Sequence, residues 1–129
     1  MNSKYKICVI GLGYVGLPLL LELKKYNKVI GFDNDIKRIN FLKKKYKKVK
    51  FINNLSSNES NVYIVCVSTP INKKNKPNLI NLIKATKSLS KVLKKNDLIV
   101  YESTVNPGTT EDLSSKFIEK ISKIINSYS

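Results

Sequence analysis

Ile7-Cys8-Val9-Ile10 is a short unbroken apolar run, and directly behind it the chain reads G-L-G-Y-V-G, with Gly11, Gly13 and Gly16 at fixed spacing. Few local patterns constrain a fold as tightly. A buried strand that feeds this spacing and then a helix is how a dinucleotide-binding βαβ unit begins. The first glycine allows the tight turn, the second lets backbone approach a pyrophosphate, and the third lets the helix pack closely on the strand. The helix N-terminus then aims its free N–H groups at the phosphates. Such a glycine spacing is weak alone, so its context decides. Val29-Ile30-Gly31-Phe32 reads as a second strand and ends at Asp33, 17 residues after Gly16. That is close to the ~20-residue offset of the carboxylate that meets an adenosine ribose. The plain alternative is a glycine turn in an α/β domain that takes no cofactor.

Strand and helix patterns alternate along the rest of the chain, which argues a parallel sheet with helices on both faces. The first strand spans about Lys6 to Ile10, and the helix after the glycines carries Val15, Leu19, Leu20, Leu23 and Tyr26 inward. Pro18 falls early enough in that helix to be tolerated. The second strand runs from about Lys28 to Phe32, and a helix over Ile36 to Tyr46 turns Ile36, Ile39 and Phe41-Leu42 inward. Val49 to Ile52 is a short third strand, and Asn53 to Asn61 has no apolar period and reads as a loop. Val62 to Val67 is unbroken and apolar, the mark of a strand covered on both faces. After Ser68-Thr69-Pro70 and a Lys/Asn-rich loop, Pro77-Asn78 starts a helix. Its stripe is Leu79, Leu82, Ile83, Thr86, Leu89, Ser90 and Leu93. Leu98 to Tyr101 is a fifth strand, and a last helix begins near Thr109, with Asp112 completing a pattern like a capping box. Right-handed crossovers then give a doubly wound, Rossmann-like sheet of five strands, order 3-2-1-4-5, in one domain over residues 1–129.

Size and charge narrow the function classes. The 129 residues suffice for one real core and are few for a complete dehydrogenase. No stretch approaches the ~20 apolar residues of a membrane span, and no secretory signal precedes the first strand. Cys8 and Cys66 both lie in apolar strand runs and read as small buried hydrophobes, which fits a reducing, cytoplasmic setting. The net charge of +15 comes from Lys, with Arg38 the single arginine against 23 lysines. Nucleic-acid readers rely on the planar fork of Arg. Ile and Asn occur 15 times each and Ala once, a skew that AT-rich codons produce. The densest run, Lys43-Lys44-Lys45-Tyr46-Lys47-Lys48, sits where a helix ends, a place that suits cations. Specific nucleic-acid and membrane partners are therefore not expected, although weak, salt-sensitive binding of polyanions stays open.

In such sheets ligands bind beyond the carboxyl ends of the strands, at the switch point between strands one and four. Gly11 to Gly16, Asp33, Thr69 and Thr104 all fall at those ends. Each has a plainer reading: Thr69-Pro70 as a turn, Ser103-Thr104 as a strand cap. Pro107-Gly108-Thr109 starts a helix at the same crevice.

Together these stretches resemble the NAD-binding region of the UDP-glucose/GDP-mannose dehydrogenase family, the nucleotide-sugar 6-dehydrogenases. The matching wording is I-G-L-G-Y-V-G-L-P over Ile10 to Pro18, G-F-D over Gly31 to Asp33, V-S-T-P over Val67 to Pro70, and E-S-T-V-N-P-G-T-T over Glu102 to Thr110. Within the family, Y-E-S-T-V-x-P-G-T-T-E and T-P-I-N are most similar to enzymes oxidising UDP-N-acetylhexosamines for surface polysaccharides. The family oxidises a sugar C6 alcohol to a carboxylate with two NAD, by way of a covalent cysteine. The resemblance implies that Tyr14 and Val15 present backbone to the pyrophosphate and that Asp33 binds the ribose hydroxyls, favouring NAD over NADP. It also implies that Arg38 lies against the adenosine side and Thr69 lines the cleft. Thr104 would sit by the nicotinamide as the catalytic position.

The departures shape the expectation. The family's nucleophilic cysteine, its lysine and asparagine partners, its S-P-E glutamate and its helical and UDP-sugar domains lie beyond residue 129. Ser68 replaces a usual proline, the connection between strands two and three is shorter, and the wording drifts after Asp112. Cys8 and Cys66 cannot substitute, and the chain has no histidine. The expected behaviour is NAD binding with negligible turnover alone, in a chain truncated relative to the family or one piece of a split enzyme. A UDP-sugar would engage only with the missing domains, and an oligomer remains possible. The other readings are a non-catalytic nucleotide-binding module and a basic polyanion binder.

Overall fold

The structure, a computed structural model, describes residues 5–68, 73–74 and 80–102. Five strands, β1 (Lys6–Ile10), β2 (Lys28–Phe32), β3 (Lys50–Ile52), β4 (Val62–Val65) and β5 (Leu98–Tyr101), form one sheet in the order β3-β2-β1-β4-β5. Every neighbouring pair is parallel. The doubly wound order read from the sequence is the order observed. Among the described residues three helices connect the strands: α1 (Gly16–Leu23), α2 (Ile36–Lys45) and α3 (Ile80–Ser90).

The central strand shows why the apolar runs are unbroken. Side chains alternate across a strand, so Ile7 and Val9 enter one core cluster, with Leu12, Leu20, Ile39, Leu42 and Phe51, while Cys8 and Ile10 enter the other, with Tyr63, Val65, Leu82 and Leu89. Full burial of a side chain such as Leu20 or Leu89 contributes roughly 1.5–3 kcal/mol. A Cβ on Gly31 would stand 2.8 Å from Leu20 Cδ1 and 2.9 Å from Phe51 Cδ1, so the missing side chain is what lets α1 settle on β2.

Four inward assignments are corrected. Val15 and Tyr26 are exposed, because α1 begins after the first and ends at Leu23, before the second. In α2 only Ile39 and Leu42 are buried, while Ile36 and Phe41 are more than half exposed. Successive helical residues point about 100° apart, so Phe41 and Leu42 cannot share the narrow face that meets the sheet. The segment expected to be a plain loop contains a 3-10 turn, Leu55–Ser57, which buries Leu55 in the second cluster. β4 ends at Val65, two residues short of the apolar run. The final helix near Thr109 lies outside the described residues. Among the described residues no helix is long and apolar enough to cross a membrane.

Candidate dinucleotide-binding site

Parallel pairing brings the strand ends to one side, and the ladder continues one residue past them. Gly11 N donates to Phe32 O at 2.9 Å, Cys66 N to Ile10 O at 2.7 Å, and Glu102 N to Val65 O at 2.9 Å. Above this line opens a crevice of about 620 Å³. The glycine loop from Gly11 to Val15 forms one wall, Asp33 to Asp35 another, and Cys66 to Ser68 with Glu102 a third.

Each glycine of the loop meets a different physical demand. Gly11 has φ +92°, a conformation that penalises any Cβ, and one placed there would lie 2.9 Å from the backbone of Cys66 and Val67. A Cβ on Gly16 would run into the carbonyl of Gly11, so α1 starts flush against the turn. Around Gly13 a Cβ would meet nothing within 4 Å; its Cα faces open crevice. The N-terminus of α1 has no side-chain cap and no acidic residue in its first turn. Leu17 N–H is taken by Gly13 O at 3.2 Å and Pro18 has none, so what the helix start offers an anion is the positive end of its dipole. These features fit a pyrophosphate.

Asp33 does more than stand at the end of β2. Its Oδ2 accepts the Leu12 N–H at 3.0 Å and its Oδ1 accepts the Asp35 N–H at 3.0 Å. Asp35 caps α2, its Oδ1 accepting from Lys37 N at 3.0 Å and Arg38 N at 3.3 Å. Arg38 closes the ring by donating Nε–H to the Leu12 carbonyl at 3.0 Å. A carboxylate offers about four acceptor sites, so two backbone bonds leave Asp33 room for two hydroxyls. Arg38 reaches the site through Leu12, not as a wall of the crevice.

Of the residues singled out from the sequence, Gly11, Gly13, Tyr14, Val15 and Asp33 come together around the crevice, with Gly16 buried beneath the loop. Thr69 and Thr104 lie outside the described residues. Sequence reasoning missed Asp35, whose place just before a helical pattern is itself a cap signal. It also missed Asn81, Lys84 and Ser88, which line the crevice from α3. They recur at helical spacing beside the apolar stripe, a second stripe open to view in the sequence. Burial pushes the Cys8 thiol up to about 12. It pushes Cys66 up to about 11, with the Glu102 carboxylate adding to the rise. Neither is a thiolate at neutral pH, so neither is poised as a nucleophile.

The chain matches the UDP-glucose/GDP-mannose dehydrogenase family, NAD binding domain, over residues 5–54 and 45–128. It belongs to that family. Residues 45–54 fall in both matched stretches. A UDP-N-acetyl-D-glucosamine 6-dehydrogenase of Pseudomonas aeruginosa is 42% identical over 91% of this chain and 31% of its own. A UDP-N-acetyl-D-mannosamine dehydrogenase of Methanocaldococcus jannaschii is 36% identical over 86% of this chain and 31% of its own. The solved structure of UDP-D-ManNAc dehydrogenase from Pyrococcus horikoshii superposes with a TM-score of 0.73 at 28% identity, covering 94% of this chain and 32% of that one. The chain thus spans about a third of the length of the relatives it matches. Family membership gives the domain NAD as its cofactor.

Proposed function

We propose that this domain serves a nucleotide-sugar 6-dehydrogenase acting on a UDP-N-acetylhexosamine, in the synthesis of surface polysaccharide, and that alone it binds NAD with negligible turnover. The observation that carries the NAD half is the pairing of an open Gly13 with a β2 carboxylate that holds the same loop. The sugar half is supported by the names of the relatives. Backbone of Tyr14 and Val15, with the uncapped start of α1, would hold the pyrophosphate. Asp33 would accept the two ribose hydroxyls and repel a 2′-phosphate, selecting NAD over NADP. Bound there, NAD supplies an acceptor for hydride from the sugar alcohol. Thr69 would line the cleft and Thr104 would orient the reacting groups near the nicotinamide, both by family resemblance. The second oxidation needs a positioned thiolate, and the one thiol among the described crevice residues, Cys66, is pushed up to about 11 by burial.

Calorimetric titration tests this reading. NAD is expected to bind with NADP at least roughly tenfold weaker, and Asp33→Ala should weaken NAD by a similar factor, as the loss of charge-assisted hydrogen bonds implies. Unchanged NAD affinity in Asp33→Ala would remove the ribose assignment. Absent NAD binding beside steeply salt-dependent heparin binding would favour the polyanion reading instead.

A further inference from the structure

A helix that joins two parallel strands runs back to the amino end of the sheet, so the topology that gathers the crevice at one end gathers the helix C-termini at the other. In this chain that second end is cationic. Lys6, Lys28 and Lys50 are the first residues of β1, β2 and β3, and all three are exposed. Lys43, Lys44 and Lys45 fill the last turn of α2, with Lys47 and Lys48 behind it. Lys25 follows α1, and Lys91, Lys94 and Lys95 follow α3. Among the described residues three carboxylates share this end. Glu22 pairs with Lys25 at 2.9 Å, Glu59 pairs with Lys6 at 3.7 Å, and Asp97 Oδ2 accepts the Lys94 backbone N–H at 2.8 Å. No described carboxylate pairs with the lysines from Lys43 to Lys50.

Two plainer accounts fall short. Cations at helix C-termini offset the helix dipole, but Lys6, Lys28 and Lys50 begin strands. Lys6 and Lys28 are direct register partners, so like charges stand on strands about 4.8 Å apart, at a cost to the sheet. A codon skew adds lysines without regard to place, whereas the described lysines away from this end are only Lys37, Lys73, Lys74 and Lys84. The charge is also spread in two dimensions. α1 and α2 pack on one face of the sheet and α3 on the other, so lysines stand at the ends of both helix layers and of the strands between them. A nucleic-acid backbone is a line of phosphates, while an anionic bilayer is a plane of them, and clusters of about four to eight basic residues bind such planes. Tyr5 and Tyr26, 56% and 72% exposed, precede β1 and β2 at the same end, and tyrosine settles at the headgroup level of a bilayer.

We propose that the amino end of the sheet docks this domain on an anionic phospholipid surface, with the crevice facing away from it. The sequence reading expects no membrane partner because composition counts lysines without placing them, and peripheral contact needs no spanning helix. The inference rests on the placement of charge and stands apart from the NAD reading.

Co-sedimentation of the full chain with vesicles tests it, using phosphatidylcholine alone and a roughly two-to-one mixture of phosphatidylcholine and phosphatidylglycerol. Binding is expected to the mixture only. Raising salt from about 0.1 M to about 1 M should release the chain, as the screening length shortens from about 10 Å to about 3 Å. Two triple variants then remove equal charge. Lys28→Gln/Lys47→Gln/Lys94→Gln takes one lysine from the sheet and one from behind each helix layer, and should weaken binding roughly a hundredfold, about fivefold per lysine. Lys37→Gln/Lys73→Gln/Lys74→Gln lies more than a screening length away at the crevice end and should stay within about threefold of the parent chain. Equal losses in the two triples would reduce the effect to net charge and overturn the proposal, as would failure to bind the mixed vesicles. Tighter binding of a DNA duplex than of vesicles, lost in the first triple, would overturn it too and make this end a nucleic-acid surface. Should the first triple unfold, its three single substitutions carry the test, each expected to weaken vesicle binding about fivefold.

Discussion

Gly13 and Gly16 are three residues apart in one motif, yet the structure gives them opposite mutational signatures. A methyl on Gly16 meets the Gly11 carbonyl and cannot be relieved without lifting α1 from the turn. Gly16→Ala should cost about 3 kcal/mol or more in urea unfolding, the upper range of overpacking. A methyl on Gly13 meets open crevice. Gly13→Ala should change stability by less than about 1 kcal/mol while lowering NAD affinity in titration, because the methyl occupies space the pyrophosphate would take. If the two variants lose stability equally, the open crevice at Gly13 is wrong. The motif was legible as glycines at set spacing, and so was Asp33. That the Asp33 carboxylate also holds the loop was not, since nothing in G-F-D announces a bond to Leu12, 21 residues earlier.

At the scale of elements, α2 and α3 show what local pattern captures. Asp35 is extended at φ −82°, ψ 105° and caps α2. Asp35→Ala should cost about 1 kcal/mol of stability and also loosen the ring of hydrogen bonds around Leu12, so NAD affinity should fall with it. A cap that served the helix alone would lower the unfolding midpoint and leave affinity unchanged. In α3 the buried Thr86 donates to Leu82 O at 2.8 Å and its hydroxyl pairs with the Tyr101 hydroxyl at 3.1 Å, tying helix to β5. Thr86→Val keeps the shape and strands the tyrosine hydroxyl, an expected cost of about 1–2 kcal/mol by chemical denaturation. The apolar stripe of α3 was plain in the sequence because one face meets one sheet. Ile36 and Phe41 were misread because an apolar residue declares no direction. Phe41 found a use outside the core, beneath Arg38 and Lys45.

For the whole molecule, burial of the two thiols makes a pH prediction. Cys8 rises from 9.0 to about 12 in the fold because the interior disfavours its charged form. The folded state therefore holds that proton more tightly than the unfolded chain. The associated stability is complete below pH 9 and is lost progressively as pH climbs toward 12. Urea midpoints should fall over that window, and less steeply in Cys8→Ala. At pH 8 a thiol reagent should leave both cysteines unmodified until the chain unfolds; rapid labelling of Cys66 in the folded protein would show that the crevice floor is open. Strand order, the placing of the crevice at the strand ends and the glycine loop itself followed from sequence alone. They depend on short-range rules: side-chain period, glycine geometry and right-handed crossover. Tertiary structure alone decided which apolar residues turned outward, which face of α3 joined the crevice, and that Arg38 bonds the carbonyl of Leu12, 26 residues away. Those outcomes hang on how separately formed elements settle against one sheet, and no local pattern carries that distance.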